Sequence, residues 1–506
     1  MQLRRRARGT RIWRRNEGRV GLGGERNVSG DYVIGIDVGT SGVRAVAVDR
    51  RGGVLASAQA SLPASACPMP GWSEQDPEAW WAAMAAVLAR CRASVPASAG
   101  KAAAVCVDST SGTVVAVGGG GRPVRAAVMY NDARSTAEAE ELNGFGAESA
   151  RRMGYRFNSS YSLPKIAWLL RHDGARCGDA RFLSPADHLA ERLCGVAATD
   201  YTNALKTGYD LIEMRWPEWL GAVGIDPSRL PRVCRSGEVI GAVTRSAAAE
   251  TGLPEGLPVA AGPTDGVAGF YAGGAATPGE AATTLGTTLV VKSVSREIVR
   301  DPAGRIYCHR HAEGHWLPGG ASNCGCDYAT VHFHGASPGE LDAAALPLLP
   351  ADGLCYPLPR RGERFPAVKA DAESFMTRAP RERAEHFAMY LQGVAFVERW
   401  AYQTIRELGG SWGGTVFTSG GGARSEVWMQ LRADVLNCPV ARTGTPDSAF
   451  GAAVLAASRT LYRDVTEAAR AMVRVERVFE PRPAFASRYD SLYAAFRAAC
   501  AQRGLT

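Results

Sequence analysis

Residues 32–49 read YVIGIDVGTSGVRAVAVD. Two apolar runs flank a short polar turn rich in glycine, the pattern of a strand, a tight bend and a second strand. The turn RRGG (50–53) and the run VLASAQAS (54–61) add a third strand. The first bend of this meander is chemically suggestive. A tight turn presents backbone N–H groups, and glycine lets phosphate oxygens approach closely. Thr40 and Ser41 add hydroxyls, Asp37 would hold Mg2+ through water, and Arg44 would contact a substrate. A plain hairpin turn is the competing reading.

The pattern returns in the second half. Residues 258–265 (PVAAGPTD) read as an apolar strand ending in an acid, followed by a small-residue helix. Residues 280–294 (EAATTLGTTLVVKSV) read as strand, glycine turn and strand, and LGTT (285–288) echoes DVGTS (37–41). Two halves with the same hairpin point to an ancient duplication. Residues 415–436 (TVFTSGGGARSEVWMQLRADVL) read as strand, triple-glycine loop and helix, a place where a nucleotide can lie against backbone.

Between these segments strands and helices alternate, giving an α/β architecture. Asp76 suits an N-cap, Pro77 the first helical position, and Trp80, Met84, Val87, Leu88 and Cys91 follow at helical spacing as a core stripe. Residues 102–117 read as strand, polar turn and strand. Phe387, Tyr390, Leu391, Val394, Val397 and Ala401 share one face of a helix near 384–408, and Thr445 to Ala457 reads as a small-residue helix.

Composition bounds the function classes. Of the net charge of +8, the first 27 residues, with nine Arg and two Glu, carry +7. The basic excess therefore belongs to a tail and not to a folded nucleic-acid-binding face. That tail lacks the apolar stretch of a secretory signal. It reads as a disordered extension or an early start codon, so that a chain beginning at Val28 is expected to keep full activity. No apolar run reaches the roughly 18 residues of a membrane span. The twelve cysteines contain no C-x-x-C pair, so a structural zinc site has no support, and free thiols in a reducing cytoplasm are expected.

Asp265 is the candidate base. Phosphoryl transfer to an alcohol needs a group that orients the hydroxyl and takes its proton, and a carboxylate at a strand end is well placed for this. Taken alone, Asp265 fits a helix N-cap as well. The ordered set of four segments favours the catalytic reading.

These residues resemble the FGGY carbohydrate kinase family of the actin/Hsp70-like ATPase superfamily, from Tyr32 to about Ala499. The resemblance rests on GWSEQDPEAWW (71–81), AGPTDGVAGF (261–270), TTLGTT (283–288) and SGGGARSEVW (419–428). It implies a two-domain, ribonuclease H-like fold with a duplicated core and a cleft between domains. The division would be a tail to residue 30, a sugar-binding domain over 31–262 and a nucleotide-binding domain over 263–500. It implies Asp265 as catalytic base. Asp37, Ser41, Gly42, Val43, Arg44, Asp108, Ser109 and Asp265 would contact the substrate. Gly39, Thr40, Gly286, Thr287, Ser419, Gly420, Gly421, Gly422 and Ala423 would contact ATP.

Xylulose kinases of the family carry Met-His-Gly where this chain reads VDSTSGTVV (107–115). That segment, with MYNDAR (129–134) and YPLPRRGERFP (356–366), resembles a branch that includes plant and cyanobacterial D-ribulose kinases. The expected reaction is ATP- and Mg2+-dependent phosphorylation of a pentulose, D-ribulose first, with xylulose or a pentitol as the alternative. A non-catalytic sensor on the same fold would have lost Asp265 or a phosphate turn, and a chaperone-type ATPase would keep a peptide-binding domain. The implied partners are ATP and a small sugar, with a homodimer as the assembly to test, and neither nucleic acid nor membrane.

Overall fold

The computed structural model describes residues 31–444 and 447–506. The basic tail and Thr445 lie outside the described residues. Two mixed sheets organise the chain. The first contains β1 (Tyr32–Val38), β2 (Gly42–Asp49), β3 (Val54–Ser61), β4 (Ala102–Ser109), β5 (Val239–Ala242) and β6 (Pro258–Ala260), in the order β5-β6-β4-β1-β2-β3. The second contains β7 (Ala281–Leu285), β8 (Leu289–Ser293), β9 (Tyr307–Arg310), β10 (Trp316–Ser322), β11 (Val416–Ser419), β12 (Val440–Thr443) and β13 (Val475–Phe479), in the order β9-β10-β8-β7-β11-β12-β13.

The duplication is plain in the pairing. β1 pairs antiparallel with β2 and parallel with β4, and β7 pairs antiparallel with β8 and parallel with β11. Each hairpin therefore carries its Gly-Thr turn at the corresponding end of its sheet. This is the two-domain α/β architecture of the actin/Hsp70-like ATPases.

Helices cover the sheets where the apolar spacing expects them. Helix α1 (Pro77–Ala93) starts from Asp76, whose carboxylate accepts the Glu78 N–H, and buries Trp80, Met84, Val87, Leu88 and Cys91. Helix α4 (Arg383–Glu407) is the long core helix of the second half, and α5 (Glu426–Leu436) follows the triple-glycine loop. No helix among the described residues is long and apolar enough to cross a membrane.

Two helices lie between the sheets: α3 (Asp265–Gly273) and α6 (Ser448–Ala457). A common core joins Val33 and Ala104 of the first sheet, Phe417 of the second, and Tyr271, Ala449 and Ala453 of these helices. Small residues permit this contact. A Cβ on Gly35 would fall 1.9 Å from the Ala449 carbonyl oxygen, and one on Gly451 would fall 1.8 Å from that of Ala268. Backbone thus rests directly on backbone.

The strand before Asp265 is shorter than its sequence suggests, ending at Ala260. Pro263 has no N–H to continue a ladder. Gly262 passes so close to β4 that a Cβ would lie 1.7 Å from the Val107 carbonyl oxygen. Similarly, α6 begins at Ser448, capped by Asp447, which accepts the Phe450 N–H.

Candidate active site

Helix α2 (Tyr201–Lys206) fixes the segment that delivers Asp265. Thr264 N–H donates to the Thr202 hydroxyl (2.9 Å), and the Asn203 amide donates to the Gly262 carbonyl (3.2 Å). Asp200, fully buried, accepts from Thr202, Asn203 and Ser236 and holds this turn in place. Asp265 then opens α3 in its first turn. Thr264 occupies the N-cap position, and one Asp265 oxygen accepts the Gly266 N–H at 2.6 Å. Asp265 is therefore the first helical residue and not the N-cap that the sequence also allows, and its other oxygen is left for a ligand.

Asp265 lies on the wall common to two cavities. One, of about 370 Å³, is lined by Asp37, Gly39, Thr40, Thr110, Ser111, Tyr130 and Ser448. The other, of about 410 Å³, includes Gly266, Thr284, Lys292, Ser419 and Gly420. A third space, of about 450 Å³, adjoins the first at Asp37 and Gly39 and is lined by Ser41, Gly42, Val43 and Arg44. A fourth, of about 660 Å³, is lined by Gly421, Gly422, Arg424, Phe333, Tyr390 and Trp428. Its mixture of glycine backbone and aromatic rings suits a flat heterocycle.

The first Gly-Thr turn is braced from α1. The Gln75 amide donates to the Thr40 carbonyl (2.8 Å), and the Trp80 indole N–H donates to the Gln75 side-chain oxygen (3.0 Å). In the second turn the Gly286 carbonyl accepts from Cys326 N–H (2.8 Å) and the Thr287 carbonyl from Asp327 N–H (3.3 Å). These contacts turn the carbonyls away, and the Thr287 side chain is exposed.

Not every expected contact residue is free. Val43 points its side chain into the core and borders its cavity through backbone, whereas Ala423 is buried in the core and lines none of these cavities. The Ser109 hydroxyl is occupied by the Ala186 N–H (3.0 Å). Arg44 pairs with Asp447 (2.7 Å) and donates to Gln59 (3.2 Å). Asp108 is fully buried, with neither carboxylate oxygen satisfied by a donor among the described residues.

The electrostatics are those of an acidic floor. Burial pushes Asp37 up to about 6, and burial with the charges of Asp37 and Asp265 pushes Asp108 far above the usual carboxylate range. Burial also raises Asp265, against the Gly266 N–H and the nearby Lys292 and Lys206, which lower it. Converging carboxylates of this kind fit a divalent cation. Among the described residues no three His, Cys, Asp or Glu side chains could chelate one on their own. A cation here would need nucleotide phosphates to complete its ligands, and Asp37 lines two of the cavities in which it would lie.

Lys292, which lines the second of these cavities, is absent from the expected contact set. The signal available was a lone charge inside the apolar run LVVKSV. The aromatic lining at Phe333 and Tyr390 also went unanticipated, since it comes from segments with no nucleotide motif.

Comparison with known proteins settles the family. Residues 32–271 match the N-terminal domain of the FGGY family of carbohydrate kinases, and residues 281–459 match its C-terminal domain. The chain belongs to the FGGY family of carbohydrate kinases. This FGGY kinase is 28% identical to the xylulose kinase of Bacillus subtilis over 481 residues, covering 91% of this chain and 95% of that protein. It is 37% identical to the xylulose kinase of Streptomyces rubiginosus over 299 residues, covering 57% and 60%. The crystal structure of xylulose kinase from Rhodospirillum rubrum superposes with a TM-score of 0.82 at 30% identity, covering 93% of this chain and 98% of that one.

Proposed function

We propose that this FGGY kinase transfers the γ-phosphoryl group of ATP to the terminal hydroxyl of a pentulose, D-ribulose first, yielding D-ribulose 5-phosphate. The observation that carries the reading is the place of Asp265, between the Asp37–Thr40 turn and the Ser419–Gly420 loop, on a wall that both cavities share. The Asp265 carboxylate orients the acceptor hydroxyl and accepts its proton as the new O–P bond forms. The bond from the γ-phosphorus to the bridging oxygen breaks, and that oxygen leaves with ADP. Gly39, Thr40, Gly286 and Thr287 hold phosphate oxygens through backbone and hydroxyl donors, and Gly420 to Ala423 support the nucleoside. Mg2+, when bound, offsets phosphate charge. The reaction belongs in the cytoplasm, in keeping with the free cysteines of the described chain.

The acceptor assignment rests on DSTSGT in place of Met-His-Gly. Its rival is D-xylulose, favoured by the relatives named xylulose kinase. A coupled ADP-release assay over D-ribulose, D-xylulose, pentitols and gluconate, with product regiochemistry by NMR, decides between them. D-ribulose is expected to give the highest kcat/KM. A tenfold preference for D-xylulose would transfer the assignment, and sugar-independent ATP hydrolysis would end the kinase reading.

A further inference from the structure

The cavity beside the triple-glycine loop has aromatic walls whose polar groups are already committed. The Trp428 indole N–H donates to the Leu391 carbonyl (3.0 Å), and the Tyr390 hydroxyl donates to the Gly325 carbonyl (3.1 Å). These bonds fix two rings whose centres stand 5.4 Å apart, and they leave neither donor for a ligand. Phe333 adds a third ring with no polar group. Such walls hold a flat heterocycle by its faces and leave its identity unread. A base is told from its analogues at its edge, where hydrogen bonds form or fail.

The polar side chains on this wall are Thr330, His334, Asp342, Arg424 and Ser425. Thr330, His334 and Arg424 are exposed, whereas Asp342 and Ser425 are half-buried. Ser425 caps α5, and its Oγ accepts the Trp428 N–H at 3.0 Å. Its own proton remains to be donated. Burial raises the Asp342 carboxyl, and the Ser425 hydroxyl beside it favours the charged form. Asp342 is the one acid on the wall, and no cation among the described residues stands close enough to offset its charge. Its helix, Pro338–Ala345, is held by Ala345 in the core and by Leu341 packed against that core. The carboxylate is thus presented from an anchored element.

An ionised carboxylate accepts hydrogen bonds and cannot donate one. It favours an exocyclic amine at the edge of a base and repels a carbonyl oxygen in the same place. We propose that Asp342 selects the nucleotide base, accepting from the 6-amine of adenine and rejecting 6-oxopurines. The proposal rests on the reading that the nucleoside lies beside Gly421 and Gly422.

The test compares the full chain with Asp342→Ala and Asp342→Asn, using the pentulose that is turned over fastest and three phosphoryl donors. These are ATP, purine riboside triphosphate, which lacks only the 6-amine, and ITP, which carries a carbonyl there. Wild type is expected to favour ATP over each analogue by about tenfold or more in kcat/KM, through the nucleotide KM. Asp342→Ala should bring ATP and purine riboside triphosphate within about threefold of each other, by loss on ATP. Asp342→Asn, whose amide can donate, should raise ITP relative to ATP about tenfold. Melting curves check that the variants fold, and titration calorimetry with ADP and IDP repeats the comparison without turnover. Equal use of ATP and purine riboside triphosphate by wild type overturns the proposal, as does a preference for ATP that persists in Asp342→Ala. Photolabelling with 8-azido-ATP separates this failure from that of the reading beneath it. Label outside residues 326–342 and 421–428 removes the base from this cavity, whereas label within them and an unchanged preference sinks the role of Asp342 alone.

Discussion

Asp37 and Asp108 stand in register on adjacent parallel strands, two carboxyl groups brought side by side at the floor of the cleft. Burial raises both, and the charge of Asp37 adds to the rise at Asp108. A carboxyl raised in the folded state binds protons that the unfolded chain has already lost. Its presence costs stability as pH rises above its unfolded value of about 3.9. Asp108→Asn is therefore expected to raise Tm at pH 7.5 in EDTA, with the gain vanishing near pH 3.5. Thermal melts across that range check this, and a variant less stable than wild type at pH 7.5 refutes it.

Asp265→Asn keeps the shape of the side chain and the bond to Gly266 N–H but cannot take a proton. Loss of a positioned general base lowers kcat by about 100- to 10,000-fold. ADP affinity and Tm should stay close to wild type. Turnover within threefold of wild type removes Asp265 from the base role.

Gly420 has φ +91°, and a Cβ there would lie 2.5 Å from the Leu285 carbonyl oxygen. Backbone in that region costs a non-glycine residue about 1–3 kcal/mol. Gly420→Ala is expected to lower Tm and raise KM for ATP at least tenfold while KM for the sugar changes little. Gly421 meets only the Arg424 side chain at 3.7 Å, so Gly421→Ala should leave Tm unchanged. Melting and ATP saturation curves on the pair test this contrast.

Glu398 and Arg432 form a fully buried bidentate pair, with both contacts at 2.6 Å, and Thr283 of β7 donates to the same carboxylate at 2.5 Å. Removing one member leaves a charge buried alone, at a cost of about 3–5 kcal/mol. Arg432→Met should lower urea stability by that order. The double variant Arg432→Met with Glu398→Leu should recover part of the loss. Denaturation midpoints of the three proteins decide it.

Much of this architecture can be read from local pattern, and some of it cannot. The hairpins at Gly39–Gly42 and Gly286–Thr288, the cap at Asp76 and the loop at Gly420–Gly422 are local events, written in alternation and glycine placement. The pairing of Asp37 with Asp108 is a long-range register, which no window of sequence contains. Lys292 comes to the cavity of Asp265 from β8 of the second sheet, a meeting that no window of sequence contains. Asp265 was legible by motif, while the early end of its strand came from a backbone approach at Gly262 that periodicity does not encode.

The contact of α6 with β1 through Gly35, and with α3 through Gly451, has a mechanical consequence. Side-chain contacts can slide by changing rotamers, but main chain laid on main chain cannot. Shear between the sheets is blocked along this line, and rotation about it is the freedom that remains. Any closure at Asp265 is therefore expected to be a turn about this helix of small residues and not a slide across it.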